Sequence, residues 1–318
     1  MPLGWTRRRW LPAATYAATS MRLHAQRHDW MKPELRSEIV RVFRASMGPR
    51  RAGLAMVYLH HETSLYTLPP DNSRILDATQ VLWRPGSTVK PFLLERLLDA
   101  KLVDAASKYL CRGKTRVAGR VLDCSHADQP APLLPAEALA LSCNEYFLHY
   151  ASRLPIGAFA HTLMESGFTN RQPFGRSCAP AVVQPPPNMD SHLLQCVGAS
   201  HVFTSPLALL GAFTRLLARM QTAPESAASR ILYQGMQECV NQGSGMEARV
   251  PGLEIAGKTG TGSARARTHL NGWFLSFAPT AAPRFAMVTF VEHGSGGADA
   301  APLAGAVWQV LGEHGVLG

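Results

Sequence analysis

The sequence predicts an α+β protein: an antiparallel sheet covered on one face by helices from both chain ends, with an all-helical lobe on the other. Two observations predict it. The apolar patterns run helix, strands, a long helical stretch, three strands, helix. Breakers separate the late strands, Gly262-Ser263 and then Pro279 to Pro283. The sheet is then assembled from both ends of the chain, with the helical lobe, about residues 88–245, inserted between them.

The elements follow in order. Pro33 to Met47 places Leu35, Ile39, Val40, Val42 and Phe43 at helical spacing, with Arg36, Glu38, Arg41 and Arg44 between them. Gly53 to His60 is a buried strand, and Thr63 to Leu68 is its hairpin partner, ended by Pro69-Pro70. Helices are predicted over 88–100, 135–152, 157–166, 205–220 and 227–241. Arg171 to Asp190 is an irregular loop, because Pro185-Pro186-Pro187 cannot be helix interior. Glu254 to Thr261, Gly272 to Ala278 and Phe285 to Glu292 are strands. Pro302 to Leu311 is a closing helix, and no internal repeat is present.

Composition bounds the class. The chain has 318 residues, 46% hydrophobic and 17% charged, which suits a folded protein with one large core or two modest ones. No run of 18 apolar residues occurs, so no ordinary transmembrane helix or anchor is expected. The net charge of +10 belongs to an arm: residues 1–51 hold eleven Lys/Arg against three Asp/Glu, and the remainder is nearly balanced. That argues against a nucleic-acid-binding face and fits export, or contact with an anionic membrane or wall. Thr6-Arg7-Arg8-Arg9-Trp10-Leu11 with the mildly apolar Leu11 to Met21 reads as a twin-arginine export signal over residues 1–25. A disordered basic tail is the alternative. The folded domain is then 26–318.

Three short strings carry the chemistry: Ser87-Thr88-Val89-Lys90, Ser142-Cys143-Asn144 and Lys258-Thr259-Gly260. A serine hydroxyl is a weak nucleophile until a base takes its proton. Ser87 follows the turn signal Arg84-Pro85-Gly86, and Lys90 lies three residues on, on the same helical face. A helix start also offers unpaired N–H groups for an oxyanion hole. Lys90 must be neutral to act as base, and burial together with a second cation, Lys258, would lower its pKa. Each string alone is weak: Ser142 or Asn144 could be a plain helix N-cap, and Lys258-Thr259-Gly260 a strand end. The G-x-x-x-x-G-K-[ST] order of a phosphate loop is absent.

The flanks strengthen the reading. Arg84 to Phe92, Ser142-Cys143-Asn144-Glu145-Tyr146-Phe147, Ile255 to Thr261, Gly272 to Pro279, Val288 to Glu292 and Thr204 to Leu207 resemble the corresponding segments of penicillin-binding protein transpeptidase domains, class B-like. The resemblance runs from about Leu35 to Leu311 and implies the β-lactamase/transpeptidase-like fold. It implies roles too. Ser87 would be acylated by a D-Ala-D-Ala stem peptide or a β-lactam, Lys90 would accept its proton, and Ser142 would relay a proton to the leaving amine. Asn144 would hold the substrate amide. Lys258 would stabilise Ser142 and the anionic end of the substrate. Thr259 and Thr261 would bind the terminal carboxylate, with the Thr261 N–H in the oxyanion hole. Gly260 would let the substrate backbone lie against the strand. The expected function is a peptidoglycan D,D-transpeptidase on the wall side of the membrane, with a glycosyltransferase of the wall machinery as a possible partner and no cofactor.

The alternatives are a D,D-carboxypeptidase, a serine β-lactamase, or a β-lactam or muropeptide sensor or scaffold. The E-x-x-L-N loop of class A β-lactamases is absent, Glu165 reads as a plain helix residue, and Asn144 stands where class D enzymes usually have valine. Departing from class B enzymes, the domain is expected to stand alone, without pedestal or anchor. Cys111 and Cys124 flank the basic segment Arg112 to Asp123 and could close a hairpin with a disulfide; free buried thiols are the alternative. Cys111, Cys124 and His126 could supply three zinc ligands, but no fourth is evident, so no metal is expected. Cys143 reads as small packing.

Overall fold

The terminal helices and the sheet are built from clear periodicities. The computed structural model describes residues 31–59, 64–71, 73–124, 126, 132–169, 178–263 and 269–317. The expected export signal lies outside the described residues. Helix α1 (Pro33–Met47) starts with Pro33 and buries Leu35, Ile39, Phe43 and Met47, one residue per turn. Strand β1 (Ala52–Tyr58) pairs with β2 (Ser64–Thr67) as the expected hairpin.

The central stretch is mostly helical. A 3-10 turn, Gly86–Val89, runs directly into α2 (Lys90–Asp99). Short strands β3 (Tyr109–Leu110), β4 (Lys114–Val117), β5 (Arg120–Asp123) and β6 (Pro132–Leu133) follow, then α3 (Pro135–Ala140), α4 (Asn144–Ala151) and α5 (Ala158–Glu165). Next come β7 (Val182–Val183), α6 (Met189–Cys196), β8 (Val202–Phe203), α7 (Pro206–Thr222) and α8 (Ala227–Asn241). The chain closes with β9 (Ala256–Ser263), β10 (Leu270–Ala278), β11 (Phe285–Glu292) and α9 (Ala301–Glu313).

Strands from both chain ends form one five-stranded sheet in the order β2-β1-β11-β10-β9, with all neighbours antiparallel. Its central strands are apolar on both faces because both faces are covered. Leu54 and Met56 of β1 join Met287 and Val291 of β11 beneath α1 and α9. Ala55, Val57, Ala286, Val288 and Phe290 point the other way, into the core shared with α2, α4, α7 and α8. Two buried polar links bind α9 and the turn before it to the sheet: Trp308 Nε1 donates to Ser276 Oγ at 3.0 Å, and Thr289 Oγ1 donates to the Ala300 carbonyl at 2.7 Å.

Three expectations are corrected. The helix predicted over 135–152 is two helices, because Ser142 takes φ +58° and breaks the ladder. The predicted loop to Asp190 ends early: Asn188 caps α6 by accepting from Ser191 N at 2.9 Å. Strand β9 starts at Ala256 rather than Glu254 and runs on to Ser263, through the Gly262-Ser263 pair taken as a breaker. There Gly262 lies against the Arg84 carbonyl, where a Cβ would come within 2.0 Å.

Candidate active site

The turn that carries Ser87 is shaped by backbone contacts. Pro85 enters it, and Gly86 adopts φ +55° against the edge strand, where a Cβ would lie 2.3 Å from the Thr261 carbonyl oxygen. Thr88 Oγ1 donates back to the Pro85 carbonyl at 2.9 Å, tightening the turn. Trp273 Nε1 on β10 donates to the Arg84 carbonyl at 3.0 Å. Ser87 is thereby held half-exposed at the start of the helical segment while its neighbours Thr88, Val89 and Lys90 are buried.

Lys90 opens α2 and is fully buried. Its Nζ donates to the Ser142 carbonyl at 2.7 Å and to Asn144 Oδ1 at 2.8 Å, with Ser142 Oγ further off at 3.5 Å. Burial, then repulsion from Lys258, brings its pKa down to about 7. Lys258, also fully buried, is brought down to about 8 by burial. The sequence expectation that Lys258 depresses Lys90 agrees with this arrangement.

The second string sits in the break between α3 and α4. Cys143, not Ser142 or Asn144, is the N-cap: its Sγ accepts from Tyr146 N at 3.4 Å. Ser142 and Asn144 flank it and turn toward Lys90. Asn144 is held from its other side, since Nδ2 donates to the Asp123 carbonyl at 2.8 Å and its backbone N–H to Cys124 Sγ at 3.2 Å.

The third string lies on the edge strand β9. Lys258 Nζ donates to the Thr259 carbonyl at 2.9 Å and lies 3.3 Å from Thr259 Oγ1. Among the described residues it makes no hydrogen bond to Ser142. Thr259 is buried and its hydroxyl shares a 2.6 Å bond with Ser244 Oγ, which also donates to the Ala140 carbonyl at 3.1 Å. Ser244 was missed from sequence; it stands in a Gly-flanked turn with no motif around it. Thr261 is exposed, and its Oγ1 accepts from Gly296 N at 3.1 Å. Gly260 has a different reason for being glycine than the one expected. A Cβ there would lie 2.6 Å from both the Pro85 carbonyl and Thr88 Cγ2, so the turn that carries Ser87 itself needs the space.

Glu165 ends α5 on the surface and takes no part. Cys111 and Cys124 do come together across the β4–β5 hairpin, but as free buried thiols rather than a disulfide. Cys143 joins them: ligand atoms of Cys111, Cys124, His126 and Cys143 all lie within 4.8 Å of one another. His269, Glu292 and His293 form a second group of potential ligands, in which Glu292 is already paired with Arg51 at 2.7 Å.

Comparison with known proteins fits this geometry. The family model described as penicillin binding protein transpeptidase domain matches residues 54–309. The peptidoglycan D,D-transpeptidase PbpA of two Mycobacterium tuberculosis strains is 27% identical over 268 residues, covering 70% of this chain and 54% of each relative. The chain thus spans about half the length of these curated relatives. PBP2 of Helicobacter pylori, solved in complex with MreC, superimposes with a TM-score of 0.74 at 19% identity, covering 89% of this chain and 63% of that one. A D,D-transpeptidase domain from Eggerthella lenta gives 0.70 at 18%, covering 88% and 82%. At these identities the two structures speak for the fold.

Proposed function

The chain belongs to the penicillin-binding protein transpeptidase domain family, and from that premise we propose that it is a peptidoglycan D,D-transpeptidase working through a Ser87 acyl-enzyme. One observation carries the proposal. Lys90 is buried without a carboxylate partner among the described residues, and its two short hydrogen bonds go to oxygen acceptors, Ser142 O and Asn144 Oδ1. A neutral amine has two N–H donors and one lone pair. Both donors can stay where they are, and the lone pair is left for the Ser87 proton one turn away. A pKa near 7 makes that neutral form available at ordinary pH.

The reaction then runs as follows. Ser87 Oγ attacks the carbonyl carbon of the penultimate D-Ala and its proton passes to Lys90. The negative charge on the carbonyl oxygen is met by the backbone N–H groups of Ser87 and Thr261, whose segments the Gly86–Thr261 contact holds together. The C–N bond to the terminal D-Ala breaks, and the leaving nitrogen takes a proton passed from Lys90 through Ser142. An acceptor amine attacks the ester, returns a proton to Ser87 and forms the cross-link. Asn144 supports the substrate amide, and Lys258, Thr259 and Thr261 receive the terminal carboxylate. A β-lactam enters the same steps and stays on Ser87 because its amine is not released.

The proposal extends to organisation and place. Residues 1–25 would direct export, 26–318 would form the catalytic domain with the helical lobe inserted over about 88–245, and the work would be done on the wall side, alongside a glycosyltransferase. No helix among the described residues is long and apolar enough to cross a membrane. Product analysis on a D-Ala-D-Ala stem peptide tests the reading. Release of D-Ala with a new amide to an added amine supports it. Release with hydrolysis alone makes the protein a D,D-carboxypeptidase, and no release by folded protein contradicts it.

A further inference from the structure

We propose that Cys111, Cys124, His126 and Cys143 form a closed structural zinc site that braces the second motif of the active site. The four residues come from three places: the two ends of the β4–β5 hairpin, the segment just after it, and the N-cap of α4. All four ligand atoms lie within 4.8 Å of one another. Tetrahedral zinc with Zn–S bonds of about 2.3 Å needs sulfur–sulfur edges of about 3.8 Å, and Cys124 Sγ and Cys143 Sγ are 3.9 Å apart. The remaining distances close onto such a site with shifts of under about 1 Å.

Independent features point the same way. Each sulfur accepts a backbone N–H: Gly113 N to Cys111 at 3.3 Å, Asn144 N to Cys124 at 3.2 Å, and Tyr146 N to Cys143 at 3.4 Å. A sulfur that accepts a backbone N–H is placed as metal-bound thiolates are, and three sulfurs this close can all be deprotonated only with a cation between them. His126 Nε2 is a buried nitrogen with no hydrogen-bond partner. Three sulfurs and one imidazole nitrogen suit zinc rather than magnesium, calcium or manganese. Four protein ligands leave no open position, so the metal would be structural. On binding, thiol protons pass to solvent and the thiolates bind the ion.

The location gives the site its consequence. Cys143 lies between Ser142 and Asn144, and both neighbours are hydrogen-bonded by Lys90. Cys124 follows Asp123, whose carbonyl holds the Asn144 amide. A metal joining Cys124 to Cys143 therefore fixes, from behind, the two groups that orient Lys90. The ligands themselves touch no substrate; they are positioning residues.

The test uses the full chain, reduced and purified, with metal content measured by mass spectrometry. One zinc per chain is expected, lost in a Cys111→Ser, Cys124→Ser double variant and kept in His126→Cys. Cobalt added to metal-free wild type needs no variant: it should give the strong visible bands of a tetrahedral site and near-ultraviolet thiolate-to-cobalt charge transfer. Chelation at a temperature where circular dichroism is unchanged should slow penicillin acylation about tenfold or more, and zinc should restore it. Folded, fully reduced protein that binds neither zinc nor cobalt overturns the site. Binding with an unchanged acylation rate overturns the brace. Both metal readouts stand whether or not Ser87 proves to be a transpeptidase nucleophile.

Discussion

Lys90 Nζ donates to Asn144 Oδ1 at 2.8 Å, a bond that, beside the one to the Ser142 carbonyl, ties the first active-site string to the second. It runs from the first residue of α2 to the first residue of α4 and is anchored beyond Asn144 by the Asp123 carbonyl. Substitution at Asn144 should thus be felt at Lys90. Asn144→Ala leaves Lys90 with one short acceptor and should cost about 1–2 kcal/mol in stability by denaturant unfolding. Asn144→Asp sets a carboxylate beside the amine and should raise the Lys90 pKa by about one unit or more. In that variant the pH profile of acylation should shift upward; an unshifted profile would remove Lys90 from the role of base.

For the wild type, acylation by a β-lactam should rise with pH through about 7, as Lys90 loses its proton. It should fall again above about 8, as Lys258 becomes neutral and no longer attracts the substrate carboxylate. The sign follows from the roles: the base works deprotonated and the clamp works protonated. Lys258→Arg should keep the rising limb and lose the falling one, since arginine stays charged. Second-order acylation rates from pH 5 to 10 would check both limbs.

Gly260→Ala should damage the nucleophile turn rather than the substrate groove. The new Cβ would lie 2.6 Å from the Pro85 carbonyl and Thr88 Cγ2, an overpacking that costs about 1–3 kcal/mol. Acylation should fall about 10- to 100-fold from displacement of Ser87. Adding Thr88→Ser removes one of the three close contacts, the third being the Thr88 backbone nitrogen at 2.9 Å, and should recover part of the rate. No recovery would favour a direct substrate contact at Gly260.

Ser244→Ala removes a hydroxyl from the 2.6 Å bond with Thr259. A loss of about 1 kcal/mol, or about fivefold, is expected in kcat/KM, carried by KM if Thr259 serves binding as proposed. Steady-state kinetics on a stem-peptide substrate would separate the two constants.

The parts of this molecule that were legible in the sequence are those dictated by short-range pattern. Helix 227–241 and strand Phe285 to Glu292 were read with their observed bounds, because one shows helical spacing and the other a continuous apolar run between breakers. The strings that hold Ser87, Lys90, Asn144 and Lys258 stand out because the proposed acyl-transfer chemistry would restrict residue type at fixed spacing. What was not legible depends on contacts between distant segments. Ser142 breaks its helix with a left-handed backbone that no local signal announces. Cys143 looked like filler because its partners Cys111 and Cys124 reach it only through the folded hairpin. Gly260 was read against the substrate, while the atoms it makes room for belong to Pro85 and Thr88, far earlier in the chain.

The central claim is that Ser87 is acylated with Lys90 as its base, and intact-mass measurement after reaction with a penicillin tests it most directly. Wild type should gain one penicilloyl adduct, mapped to the peptide containing Ser87. Ser87→Ala should gain none, and Lys90→Met should form it about 100-fold or more slowly while remaining folded. Folded wild type without an adduct, or an adduct that persists in Ser87→Ala, would contradict the account.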